Sequence, residues 1–307
     1  MTLHHYKLEK GFPTLCFSLV VILSLLIAGC GGNPTSTGGA ASTPNAPAKQ
    51  VVTPPTGLLA PGTLTVGSDT TYAPMEFVDT SSGQFVGFDI DLITDIAQRM
   101  GLKVQIQKTG FDTIFDDLSN KRFDVVISSV TVNADRQKKF DFVPYFNAGE
   151  SLLVQKGNPK HLTSTADLCG LNVGVQNGTV EQDDLNKANA TCKSSGKPEI
   201  KLTVLQDQTA VVQLLANGRV DATYQDSPVT DYYNKINPGQ FEVGGSVVNT
   251  APYGITIRKG DSAMLNAIQT AFKSLQADGT YAKLFDKWQL TKSQQYSASV
   301  TRKVEAV

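Results

Sequence analysis

The chain has 307 residues, with 27 basic and 28 acidic side chains. The basic residues are scattered, which excludes the basic face that a nucleic-acid partner requires. His161 is the only histidine after residue 30, so neither a histidine-based metal site nor a cofactor is implied.

Lys7 and Lys10 precede an apolar stretch over residues 15–29, which ends Leu26-Ile27-Ala28-Gly29-Cys30. A basic start, an apolar core and a small-residue end read as a secretory signal. The stretch is shorter than the about 20 residues needed to cross hydrocarbon. Its ending resembles the lipobox of bacterial lipoproteins. That resemblance implies cleavage before Cys30, a diacylglyceryl group on its sulfur, and a protein tethered to the outer face of the cell membrane or lying in the periplasm. Residues 1–29 are then signal, and 30–61 are the lipidated cysteine plus a flexible linker. The linker is rich in Gly, Pro, Ser, Thr and Ala, with Lys49 its only charge, a composition that cannot bury enough apolar surface to fold. Cys16 leaves with the signal and Cys30 is lipidated, so only Cys169 and Cys192 remain. In an exported chain an isolated pair is most simply a disulfide; two free buried thiols are the alternative.

Folding is expected from about Gly62. Leu64–Gly67 reads as a strand entering a polar loop, Ser68 to Pro74, and Phe85-Val86 as a short strand. Leu92, Ile93, Ile96, Ala97 and Met100 recur at helical spacing before Gly101. Val104 and Ile106 mark a strand, residues 112–120 a helix, and Phe123–Ile127 a strand covered on both faces, as in a parallel sheet. A second set follows: strand Leu171–Val175, a capping box over Thr179–Gln182, strand Leu202–Leu205, helix 208–217, and strand Val220–Tyr224 ending at Gln225-Asp226. Tyr253–Ile257 is a late strand, helices cover about 262–277 and 279–289, and residues 291–307 are expected to fray. Alternating strands and helices predict an α/β fold with a largely parallel sheet.

Ligands in such sheets bind beyond the carboxyl ends of strands, which directs attention to loops 68–74, 128–136, 176–180 and 225–227. Arg136 offers a planar fork for a carboxylate. Ser128, Ser129 and Thr131 supply hydroxyls and backbone groups, and Thr179 opens a helix whose free N–H groups suit an anion. Asp226 can receive an ammonium. Tyr72 and Phe111 can clamp a side chain, and Asp69 is a further acid near Tyr72. Each has a plainer reading: Arg136 on a solvated helix start, Asp226 and Thr179 as helix caps, Ser128 and Ser129 as strand-end polar groups, Phe111 as core, Asp69 as a turn residue. Their convergence on the same loops favours a zwitterion site.

Several stretches, in order, resemble the polar-amino-acid solute-binding proteins of ABC importers. They are Ser68–Phe77, Val86–Leu92, Ser128–Thr131 through Arg136, Phe140–Phe142 before Pro144-Tyr145, Gly174–Thr179, Ala222–Asp226 and Asp278–Tyr281. The resemblance covers about Gly62 to Leu290. It implies two Rossmann-like lobes joined by two crossover strands, near Leu152–Gln155 and Asn249–Gly254. Lobe 1 would be 62–150 plus 252–290, and lobe 2 would be 155–248. It also implies roles by position. Arg136 grips the ligand carboxylate, helped by the N–H groups of Thr131 and Thr179. Asp226, with a carbonyl near Ser129, binds the ammonium. Tyr72 and Phe111 sandwich the side chain, and Asp69 faces its distal end. The Gly87–Asp91 motif belongs to the fold. Val180 departs from members for cationic amino acids that carry threonine there. The expected protein is a non-enzymatic monomer that delivers arginine, lysine or glutamine to a permease. The alternatives are a lyase or dehydratase on the same fold, and a sensory lipoprotein.

Overall fold

Strand β1 (Thr63–Ser68) is buried along nearly its whole length and lies parallel to β5 (Lys103–Lys108) on one side and β6 (Val125–Val126) on the other. The computed structural model describes residues 50–297, so Cys30, the signal segment, the first part of the linker and the end of the tail lie outside the described residues. Between β1 and β5 come a small antiparallel sheet, β2 (Thr71–Tyr72), β3 (Glu76–Val78) and β4 (Phe85–Val86), and helix α1 (Phe88–Arg99). Gly87 begins α1 at φ 136°, and a Cβ there would lie 2.1 Å from the Met75 carbonyl oxygen. Only glycine tolerates both conditions. Phe88, Leu92, Ile93 and Ile96 form the buried stripe of α1, the i, i+4 spacing that turns one helical face to a core. Helices α2 (Ile114–Ser119) and α3 (Ala134–Lys139) flank β6.

Two long strands carry the chain between halves. β7 (Phe140–Gln155) precedes a second α/β set: β8 (Asn172–Gln176), α4 (Val180–Ser194), β9 (Lys201–Leu205), α5 (Gln208–Ala216), β10 (Ala222–Asp226) and α6 (Ser227–Ile236). β11 (Phe241–Arg258) returns to the first half, where α7 (Ser262–Ala277) and α8 (Thr280–Trp288) close it. The sheet order is β5-β1-β6-β11-β7-β10-β8-β9. Each outer trio is parallel within itself, and the two meet through the antiparallel pair β11–β7. This is the α/β fold that the alternation of elements predicts, in the two-lobed form that the resemblance implies, with an antiparallel seam at its centre.

Three boundaries differ from the sequence reading. Leu152–Val154 already pair with β10, so the first crossover lies before 152–155, near Asn147–Gly149, where β11 shows register shifts opposite it. The end of the expected linker is docked: Val51 and Val52 donate to the Arg99 carbonyl at 2.9 and 3.0 Å, and Leu59 donates to Asp124 Oδ1 at 3.0 Å. Val52 and Leu58 supply apolar contacts that the Pro- and Gly-rich composition around them obscures. The start of the tail is also fixed. Asn147 Nδ2 donates to the Gln295 carbonyl at 3.1 Å, and the Tyr296 N–H donates to the Tyr281 hydroxyl at 2.9 Å.

The first half is built on Leu64, Val66 and the α1 stripe, with Ile268 and Phe272 of α7 and an aromatic cluster in which Phe88 and Phe285 lie 4.9 Å apart. The second half packs Val173, Val175, Leu185 and Tyr224 around Cys192. Cys192 is disulfide-bonded to Cys169 with Cα atoms 5.6 Å apart, as the count of cysteines suggests.

Candidate functional site

The C-terminal ends of β1, β6, β8 and β10 open onto one cavity. Asp69, Tyr72, Phe111, Ser128, Ser129, Thr131, Arg136, Thr179 and Asp226 all line it, together with Glu76, Gln176, Val180 and Glu181. Every candidate taken from the loops is therefore brought to one place. The gaps between the lining atoms total about 270 Å³, little of it wide enough for a water molecule.

Arg136 is positioned by its own helix start. The Asn133 side chain caps α3 by accepting the Arg136 N–H at 2.9 Å. The guanidinium donates from Nη1 to the Thr131 carbonyl at 2.9 Å and from Nη2 to the Gly178 carbonyl at 3.4 Å. Its carbon lies 5.0 Å from the Phe115 ring centre and 5.6 Å from that of Phe111, within cation–π range. Among the described residues no carboxylate forms an ion pair with it. Burial pulls its pKa down, against the pull of Glu181 and Asp226. Thr131 sits opposite Tyr253 in an isolated bridge, where flanking hydrogen bonds from Val132 and Gly254 carry the pairing. In such a pair the N–H of Thr131 is directed away from the neighbouring strand.

On the opposite wall, Asp226 ends β10 and accepts the Tyr72 hydroxyl at Oδ2, 2.8 Å away. Burial raises the Asp226 carboxyl to about 6, with the Tyr72 hydroxyl holding it lower by hydrogen bonding. Tyr72 is thus engaged through its hydroxyl as well as lining the cavity. Thr179 caps α4: its Oγ1 accepts from the Gln182 N–H at 3.2 Å and donates to the Gln176 carbonyl at 2.9 Å. Gln182 returns its side chain to the Gly178 N–H at 2.7 Å, one residue before the cap, so the expected box is displaced by one position.

Asp69 accepts from Thr71 Oγ1 at 2.9 Å and from Gln176 Nε2. Burial raises its carboxyl to about 6. Ser128 accepts the Asp69 N–H at 2.9 Å and donates to Glu76 at 3.0 Å; Ser129 Oγ donates to Glu76 at 3.1 Å. Ser129 is left-handed at φ 48°, and its N–H is held at 3.0 Å by Asp89, which also accepts the Tyr145 hydroxyl at 2.6 Å. The Gly87–Asp91 motif therefore shapes the cavity floor from beneath through Asp89.

Four lining residues were not singled out from the sequence: Glu76, Gln176, Val180 (noted only as a departure) and Glu181. Phe115, beneath Arg136, was missed as well. Gln176 ends β8 just as Asp226 ends β10, and that shared strand-end position is the signal that could have found it. Glu181 lies in the first turn of α4, 2 % exposed, and burial and Asp226 push its carboxyl well above the ordinary range.

The two halves touch directly across the cavity. Besides Tyr72–Asp226 and Asp69–Gln176, the Gln208 N–H donates to Thr71 Oγ1 at 3.1 Å and Thr209 Oγ1 to the Thr71 carbonyl at 2.9 Å. This is a closed cleft, with a cation and a cluster of acids on facing walls.

Residues 64–291 match the family model for bacterial extracellular solute-binding proteins, family 3. The L-cystine-binding protein TcyA of Bacillus subtilis (strain 168) is 31% identical over 228 residues, 74% of this chain and 81% of that protein. An ancestral arginine-binding protein bound to arginine is similar in structure with a TM-score of 0.68 and 39% identity, covering 74% of this chain and 98% of that one. An ancestral amino acid-binding protein described as a precursor of cyclohexadienyl dehydratase has a TM-score of 0.67 at 36% identity, covering 74% and 95%. The two-lobed fold, the facing charges of the cleft and these matches agree: the chain belongs to family 3 of the bacterial extracellular solute-binding proteins.

Proposed function

We propose that this protein is the receptor of an ABC importer, anchored outside the cytoplasm through a lipidated Cys30, which captures a free L-amino acid between its lobes. The observation that carries this reading is Arg136, a guanidinium turned into a cavity without an acidic partner among the described residues. It takes the ligand carboxylate, with the N–H groups of Thr131 and Thr179. Asp226 and a carbonyl near Ser129 take the ammonium. Tyr72 and Phe111 flank the ligand side chain, and Asp69 meets its far end.

Asp69, Glu76, Glu181 and Asp226 line the cavity against a single arginine. That excess of acid favours a second positive charge on the ligand, so arginine ranks first, then lysine, with glutamine the neutral candidate. The ligand leaves chemically unchanged, and the monomer hands it to a permease after closure about the two crossovers. A thermal-shift screen of the twenty amino acids tests this, because a ligand that binds only the native form raises its stability. Upward shifts confined to cationic and amide amino acids, with the ligand recovered intact, are expected. Conversion of the ligand would favour a lyase.

A further inference from the structure

We propose that Phe115 is a positioning residue of the cleft: its ring holds the Arg136 guanidinium in place of an acidic counter-ion, so that the cation waits unpaired for the ligand carboxylate. The inference rests on the amino-acid-binding reading and goes beyond it in giving a role to a residue outside the cavity wall.

Nothing in α3 itself fixes Arg136. The helix has six residues and buries none of them. Among the described residues the guanidinium has one hydrogen bond within the first half, from Nη1 to the Thr131 carbonyl. Its contact with the Gly178 carbonyl, 3.4 Å long, reaches the second half and is lost when the halves separate. The remaining hold is aromatic. The guanidinium carbon lies 5.0 Å from the centre of the Phe115 ring, closer than the 5.6 Å to Phe111. Phe115 belongs to α2, which is anchored by the buried Ile114 and Leu118. Its ring meets Phe111 edge-on at 6.1 Å and Phe140 at 5.4 Å. Phe140 directly follows α3, so the rings tie α2 to the helix that carries Arg136. Phe111 lines the cavity and Phe115 does not, so Phe115 acts on the ligand through Arg136.

The chemistry favours a ring over an acid at this place. A carboxylate would hold the guanidinium more tightly and would compete with the ligand for it. A ring face attracts the cation through its quadrupole and uses none of its N–H donors. Because α2 and α3 belong to one half, this hold persists in the open cleft, where the ligand arrives. Glu181 and Asp226 line the same cavity. A long side chain freed from the ring can turn towards them, and only the fraction still poised would then bind.

The test is calorimetric titration of L-arginine, and of agmatine, the same molecule without its carboxylate, into the full-length protein. Phe115→Leu keeps an apolar side chain and removes the ring. It should weaken L-arginine about five- to thirty-fold and leave agmatine unchanged. Phe115→Tyr, which keeps the ring face, should bind both as the wild type does. Equal losses for the two ligands in Phe115→Leu would assign Phe115 to packing alone and overturn the proposal, as would an unchanged L-arginine affinity. Should that variant fail to fold, pentafluorophenylalanine in place of Phe115 keeps the shape and reverses the polarity of the ring face; wild-type affinity for L-arginine then overturns the proposal equally. If the wild type takes glutamine alone, L-glutamine and 4-aminobutanamide form the pair and the same outcomes decide. A wild type that binds no amino acid defeats the receptor reading, and this inference with it.

Discussion

Tyr72 and Asp226 clasp the two lobes: a hydroxyl on the small sheet of the first half donates across the cleft to the carboxylate that ends β10, at 2.8 Å. The clasp occupies the acid assigned to the ligand ammonium, so closure without ligand and binding of ligand compete for one group. Tyr72→Phe removes the donor and leaves the ring. The ligand-free variant should populate the open form more than the wild type, by the about 1 kcal/mol that a net hydrogen bond contributes. Small-angle scattering measures this as a larger radius of gyration without ligand; an unchanged radius counts against a clasp.

Asp69 lines the cavity, held by Thr71 and Gln176, and is assigned above to the far end of the ligand. Replacing it with asparagine keeps the size and removes the charge. Arginine affinity should fall about tenfold or more, the loss of one charge-assisted contact, while glutamine affinity changes little. Equal losses for both ligands would remove Asp69 from side-chain selection.

Stability without ligand should fall as the solution becomes less acidic. Burial raises Asp69 and Asp226 to about 6, and Asp89 and Glu150 to about 7, from ordinary values near 4. Between those limits the folded chain binds more protons than the unfolded chain, so unfolding becomes easier as pH rises from about 4 to about 7. Asp79 and Asp278 are lowered to about 2; their opposite contribution is lost only below that window. The melting temperature at pH 5 should exceed that at pH 8 by at least about 2–4 °C, the shift expected for ~1 kcal/mol. A melting temperature that climbs through this range would contradict the assignment of buried acids.

The disulfide closes a loop between residues 23 apart in sequence, tying Cys169 to α4 inside the second core. Cys169→Ser with Cys192→Ser should cost about 3 kcal/mol in the chain-entropy model. Urea unfolding of the ligand-free protein measures it, and equal midpoints with and without the bond would contradict the prediction.

Much of this was legible in the sequence because buried strands and amphipathic helices carry strong local patterns. Leu64–Gly67, the α1 stripe and α7 fall where their periodicity puts them. β7 was not legible: Pro144, Asn147 and Gly149 interrupt its pattern, and its continuity depends on pairing with β11, which is a long-range property. The docked segment around Val52 and the start of the tail at Gln295 hid for the same reason, since a few contacts fix them within otherwise polar stretches. The candidate residues were readable as strand-end polar groups. Glu181 was not, because an acid in a first helical turn looks ordinary until the helix start is found to face the other lobe.

Calorimetric titration of L-arginine into the wild type and Arg136→Ala reaches the centre of the account most directly. Saturable one-site binding is expected for the wild type. Arg136→Ala should weaken it by the roughly 2–5 kcal/mol that loss of one partner of a buried charge pair costs, about thirty-fold to several thousand-fold. Equal affinity in the two proteins would show that this guanidinium does not hold the ligand carboxylate.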